Sequence, residues 1–198
     1  MDVEIKKLSP DLAEEYVHFF DVTPHGDCID ENVCYCVTWR NDNTYVDNGD
    51  HWYPTRDERK RRAIEYVRNG SIQGYLAYNG NRIVGWCNVT ADCRLGVDVL
   101  RSWGWPIEEN REDIKIKSIF CFAIAPDVRR MGVATKLVER ICRDASDDGF
   151  DFVECYPDKY FTTELYGMRG PLEMYKKCGF RVFAQQDEKV VLRKALRS

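Results

Sequence analysis

One stretch constrains the fold more than any other: Ile119 to Leu137, IFCFAIAPDVRRMGVATKL. An apolar run from Ile114 to Ala125 suits a central strand buried on both faces. It breaks at Pro126, passes through Arg129-Arg130-Met131-Gly132-Val133-Ala134 and opens a helix. Helix N-termini carry free N–H groups and a positive dipole end, so they suit phosphate. Gly132 and Ala134 are small enough for a pyrophosphate to approach the backbone, and Arg129 and Arg130 add fixed positive charge. No Gly-Lys-Ser/Thr follows, so this is not the Walker pattern, and it lacks the three glycines of the dinucleotide fingerprint. The plainer alternative is an ordinary strand-to-helix turn with two solvated arginines.

The rest of the chain arranges itself around that segment. Val3–Leu8 reads as a first strand, and Ser9 and Pro10 open a helix through Leu12, Tyr16, Val17 and Phe20. Residues 21–54 are irregular. Thr55 and Glu58 have capping-box spacing at the head of a helix that stops at Asn69-Gly70. Ser71–Tyr78 and Asn81–Thr90 read as a hairpin turned by Asn79-Gly80. A long connection fills 91–113. A helix is expected from Val133 to Ser146, a strand from Phe150 to Tyr156, an insert at 158–170 and a short helix from Pro171 to Lys177. Phe180–Gln185 and Lys189–Leu196 close the chain as two strands. The order β-α-α-β-β-β-α-β-α-β-β suggests one mixed α/β domain over residues 1–198, layered around one core.

Composition narrows the function classes. A chain of 198 residues with 44% hydrophobic and 31% charged residues fits a soluble globular protein. Its net charge of −4 argues against nucleic acid, whose binders cluster Lys and Arg. The one basic run, Arg56 to Arg62, is interleaved with acids and reads as a solvated helix face. No apolar stretch is long enough to span a bilayer, and the N-terminus has no apolar signal region. The nine cysteines are therefore expected to be reduced thiols of a cytoplasmic protein. His25, Cys28, Cys34, Cys36 and His51 offer zinc-type ligands, but without a Cys-x-x-Cys pair the expectation is no metal. If extended, Cys34-Tyr35-Cys36 would put both thiols on one face for packing.

Arg129-x-x-Gly132-x-Ala134 resembles the (Gln/Arg)-x-x-Gly-x-(Gly/Ala) signature of the GNAT acetyltransferases, placed after a strand ending Ile124-Ala125-Pro126. Downstream, Met174-Tyr175-Lys176-Lys177-Cys178-Gly179-Phe180 resembles that family's Leu-Tyr-Glu-Lys-x-Gly-Phe segment. Residues 71–196 carry the resemblance, and residues 1–70 follow it in element order. One departure is Met168, where many members carry an Asn that helps hold the cofactor; Gly170-Pro171 also replaces the usual helical lead-in.

The resemblance implies a GNAT-like mixed sheet of about seven strands flanked by helices, and acetyl-CoA as co-substrate. It implies direct attack, in a ternary complex, by a primary amine of a small molecule or peptide. The backbone of Phe122, Ala123 and Ile124 would pair with the pantetheine arm. Arg129, Arg130, Met131, Gly132, Val133, Ala134 and Thr135 would hold the pyrophosphate. Tyr175, a phenol protonated at neutral pH, is the candidate acid for the departing thiolate, with a core aromatic as the alternative. Glu154 is the candidate base, since a carboxylate in an apolar strand needs a reason to be there; an outward-pointing or Arg-paired Glu is the alternative. Trp39, Trp52, Tyr53, Trp103 and Trp105 would shape the acceptor site, where aromatics with Asp and Glu suit a cationic amine. Beyond the acceptor, the one partner expected is a second copy in a homodimer. A non-catalytic acyl-CoA sensor is the competing function.

Overall fold

The apolar run becomes the spine of a seven-stranded sheet. The computed structural model describes residues 1–24, 30–39, 53–91, 94–107, 114–160 and 167–197. The strands are β1 (Glu4–Lys7), β2 (Gly74–Asn79), β3 (Arg82–Thr90), β4 (Ile116–Ile124), β5 (Phe152–Cys155), β6 (Arg181–Gln186) and β7 (Lys189–Ala195). Their spatial order is β1-β2-β3-β4-β5-β7-β6. Only β4 and β5 pair in parallel, because the helix between them carries the chain back across the sheet. The helices are α1 (Ala13–Val22), α2 (Arg56–Arg68), α3 (Arg94–Ser102), α4 (Val133–Asp147) and α5 (Leu172–Lys177).

Side chains alternate across the sheet into two cores. Tyr16, Phe20, Trp86 and Phe120 lie in the core that also takes α1 and α2. Leu137, Val138, Ile141 and Tyr175 of α4 and α5 lie in the other. A fully buried side chain of this kind contributes about 1.5–3 kcal/mol by leaving water, so both layers stabilise the sheet that carries the site.

Local chemistry sets most boundaries. Thr55 accepts from the Glu58 N–H at 3.2 Å, but the Glu58 carboxylate turns to Arg61 and Arg62, so half of the capping box forms. Ser9 makes no side-chain cap; a 3-10 turn at Pro10–Leu12 leads into α1 instead. The hairpin turn is Gly80-Asn81, one residue later than expected, with Asn79 paired to Arg82. Residues 91–113 are not all connection, since α3 lies within them; its short polar and apolar alternation hides a helical face.

Two expectations, one for the first insert and one for the helix after it, are overturned. Tyr35 and Cys36 are not extended but sit in left-handed turn geometry (φ 47° and 54°). Nor is the basic run solvated throughout: Arg59 is buried. It donates to the carbonyls of Val33 (2.8 Å), Tyr53 (2.5 Å) and Glu31, stapling the insert to α2. His25, Cys28, His51 and Trp52 lie outside the described residues. Among the described residues seven cysteines are free, and no group of three or more His, Cys, Asp or Glu could hold a metal ion. No described helix is long and apolar enough to cross a membrane.

Candidate active site

The turn after β4 is built to present N–H groups. Pro126–Val128 forms a 3-10 turn, Arg129 is extended, and Arg130 (φ 65°) and Gly132 (φ 86°) are left-handed. Alternating hands along a short segment turn successive N–H groups toward one concavity, which suits an anion. Gly132 is the N-cap of α4 and supplies no side-chain cap. The first N–H groups of α4 have no partner inside the helix. The helix ladder starts with the Lys136 N–H on the Gly132 carbonyl at 3.1 Å. A Cβ built on Gly132 would meet nothing within 4 Å, so the space in front of the turn is open. Arg129 donates through Nε to the Ile124 carbonyl at 3.2 Å, and Arg130 and Met131 are exposed beside it.

Just before this turn the sheet opens. β4 and β5 pair only from Ile116↔Phe152 to Ile119↔Cys155, and β4 then runs on to Ile124 without its neighbour. The opening coincides with a bulge. Asn88 faces Cys121 and Val89 faces Ile119, so Phe120 is an extra residue on β4. A bulge bends its strand and re-aims side chains. Phe120 and Cys121 share the core under α1 and α2, while Ile119 and Phe122 face α4 and α5. Phe122, Ala123 and Ile124 pair with β3 along one edge. Beyond the end of β5 the 167–169 turn packs against β4 in its place.

Tyr175, on α5, packs under this opening. Its ring centroid lies 6.2 Å from that of Phe122 and 5.4 Å from that of Phe180. Its hydroxyl donates to the Arg169 carbonyl at 2.9 Å. The residue is wholly buried, and burial pushes the phenol well above its ordinary value. Gly170 makes this packing fit: its φ is +77°, and a Cβ there would stand 3.2 Å from Phe122 and 3.3 Å from Tyr175.

Glu154 is buried and paired with an arginine, the second of its two sequence readings. Its Oε1 accepts from Arg193 at 2.6 Å. Its Oε2 accepts from the Tyr156 hydroxyl at 3.1 Å, and Tyr156 bonds Ser118 at 2.8 Å. The register Glu154↔Arg193 between β5 and β7 makes the pair. Sequence reasoning missed Arg193, although a buried Glu on a central strand calls for a cation on one of the strands that close the sheet.

Two clusters ring the opening. In one, Trp39 stacks on Phe120 (5.4 Å) and meets Trp103 edge-on (5.9 Å). In the other, Arg169 bonds Asp158 at 2.5 Å and lies 4.5 Å from the Trp105 ring centroid. Arg169 and Asp158 carry no motif, and only their fold brings them together.

The sequence model of the Acetyltransferase (GNAT) family matches residues 34–180. No curated protein matches the chain. Among solved structures, an arylalkylamine N-acetyltransferase like 5b from mosquito superposes with a TM-score of 0.59 at 9% identity, covering 98% of this chain and 100% of that one. A polyamine N-acetyltransferase of Drosophila melanogaster gives 0.56 at 11%, covering 98% and 100%. An N-acetyltransferase of Staphylococcus aureus Mu50 gives 0.56 at 9%, covering 100% of both. At such identities these likenesses speak for the fold: a mixed sheet of seven strands with helices on both faces.

Proposed function

Since this chain belongs to the GNAT acetyltransferase family, a family of acyltransferases for which acetyl-CoA is the usual co-substrate, we propose that it moves the acetyl group of acetyl-CoA onto a primary amine of a small molecule or peptide by direct attack. The observation that carries the reading is the pairing of two features within one strand-turn-helix. Within a left-handed turn the N–H groups of Arg129 and Met131 are tied to Pro126 and Val128, those of Arg130 and of Gly132 to Thr135 are left for an anion, and β4 parts from β5 directly upstream.

The division of labour follows from the chemistry. The turn takes the pyrophosphate through backbone N–H groups and the positive end of α4. The free edge of Phe122, Ala123 and Ile124 takes the amides of the pantetheine arm, and an N–H there supports the carbonyl oxygen as charge develops on it. The amine nitrogen forms a bond to the thioester carbon, the carbon–sulfur bond breaks, the nitrogen sheds a proton and the thiolate gains one. Tyr175 is the assigned proton donor. Its hydroxyl is held by the Arg169 carbonyl, so donation requires the 167–169 turn to yield when the thioester arrives. With Arg193 on one oxygen and Tyr156 on the other, Glu154 would act on the amine only through Tyr156. The buried thiols suit a reducing compartment such as the cytoplasm.

The test is release of free CoA from acetyl-CoA in the presence of an amine panel containing small amines, amino acids and short peptides. Amine-dependent release supports transfer. Tight binding of acetyl-CoA with no release across the panel would favour the non-catalytic sensor.

A further inference from the structure

Past the end of β5 lies a group of polar side chains that the acetyl-transfer chemistry above does not use. Two cations lie over the Trp105 ring: the Arg169 guanidinium carbon is 4.5 Å from its centroid and the Lys189 ammonium 5.2 Å. Among the described residues, one carboxylate is bonded to this pair, Asp158 on Arg169. The cluster therefore carries one positive charge more than it balances. Its hydrogen bonds are incomplete as well. The indole Nε1 of Trp105 and the guanidinium Nε of Arg169 are buried and have no partner among the described residues, and each residue is only 5% exposed. Two unused N–H donors beside surplus cationic charge are matched by an anionic oxygen acceptor.

The cluster's position ties it to the reaction. The Arg169 carbonyl receives the Tyr175 hydroxyl. The next residue, Gly170, closes against Phe122 on the free edge of β4. Lys189 starts β7 and reaches Asp158 through a backbone bridge. An amine poised to attack at the β4–β5 opening would thus have this group alongside its own carbon skeleton.

We propose that Arg169, Trp105 and Lys189 bind a carboxylate on the amine acceptor, so that the acceptor is an amino acid or a peptide presenting its C-terminal carboxylate. The assignment rests on the acetyl-transfer reading. The carboxylate accepts from Trp105 Nε1 and Arg169 Nε, and Lys189 balances its charge while Asp158 keeps Arg169 in place.

The experiment compares matched amines that differ only in the carboxylate: phenylalanine with phenethylamine, ornithine with putrescine, and free-acid peptides with their C-terminal amides. CoA release is followed for the wild type, Trp105→Phe, Lys189→Met and Arg169→Lys. The wild type is expected to prefer the carboxylate member of at least one pair by about tenfold or more in kcat/KM, the size of one charge-assisted hydrogen bond. Trp105→Phe keeps an aromatic face but loses the N–H together with the pyrrole half of a buried indole, so cooperative unfolding is measured beside its kinetics; Lys189→Met removes a partly exposed charge and does not threaten the fold. Each should shrink the preference several-fold through the KM of the amine, and Arg169→Lys should shrink it most. Equal rates within every pair overturn the proposal. So does a preference unchanged in all three variants, or variants that raise the KM of acetyl-CoA instead, which would give the two donors to the pantetheine amides. The absence of any amine-dependent CoA release in every pair contradicts acetyl transfer itself and removes the basis of the assignment. That result is distinguishable because it leaves no rate to compare.

Discussion

The turn at 126–135 and the wall formed by residues 33–39, 103–107, 156–160 and 167–170 border the same opening in the sheet, and they are built in opposite ways. The turn is contiguous. Its shape follows from backbone hand at Arg130 and Gly132, and its chemistry comes from N–H groups that every residue but proline owns. The wall is assembled from distant pieces. Trp39 meets Phe120 from 81 positions away in sequence (120 less 39), and Arg169 reaches Trp105 across 64 (169 less 105). A ligand common to a whole family can be held by backbone, whereas a ligand particular to one member needs side chains. The turn should therefore govern acetyl-CoA binding with little effect on stability. The wall should govern both stability and the choice of acceptor.

The largest effect expected is on turnover. Tyr175→Phe should lower kcat by about 10²- to 10⁴-fold if its phenol donates to the thiolate, while loss of its bond to the Arg169 carbonyl costs about 1 kcal/mol of stability. Steady-state kinetics beside urea unfolding separates the two, and a near-normal kcat with chemistry rate-limiting makes Tyr175 a wall residue that merely packs. Next in size, Trp39→Ala should cost about 3–5 kcal/mol of folding stability and leave acetyl-CoA affinity within a few-fold. A variant that folds normally but binds acetyl-CoA weakly would dissolve the division between turn and wall. Glu154→Gln should cost about 1–3 kcal/mol by weakening its bond to Arg193, visible in chemical denaturation. If kcat falls by two orders of magnitude while stability holds, Glu154 is the base after all. The smallest expected effect is a slope. Burial, with the hydrogen bond donated to Asp21, pushes the Tyr35 phenol up to about 12. A group that holds its proton more tightly when folded contributes stability in full below the unfolded value of about 10 and loses it as pH rises through the folded one. Unfolding measured from pH 9 to 12 should show Tyr35→Phe losing stability less steeply than wild type.

The same contrast explains what could be read from the sequence. The turn was legible because strand, proline, glycine and helix follow one another within nineteen residues, and each acts through its own backbone. The seven strands were legible for a similar reason, since short apolar runs ended by turn residues and the Asn79-Gly80 signal are local. Phe120 as a bulge was not, because two adjacent apolar residues look alike whether the strand is regular or has slipped by one. Arg59 read as one more solvated cation, since nothing in its neighbours reveals that three carbonyls of the insert converge on it. Glu154 signalled only that some partner was owed. Which partner, Arg193, depends on β7 lying beside β5, a fact of topology. The Arg169–Trp105 contact depends in the same way on two loops meeting over the sheet.

The most direct test of the central claim is a calorimetric titration of acetyl-CoA into the wild type and Gly132→Glu. A side chain at Gly132 projects into the open space before the turn and would set a carboxylate against the pyrophosphate. The left-handed φ of 86° adds about 1–2 kcal/mol of strain at that one residue. The account predicts that the wild type binds one equivalent, and that the variant keeps its circular dichroism and cooperative unfolding while its affinity falls at least a hundredfold. Unchanged affinity in a folded Gly132→Glu, or no binding by the wild type, would contradict it.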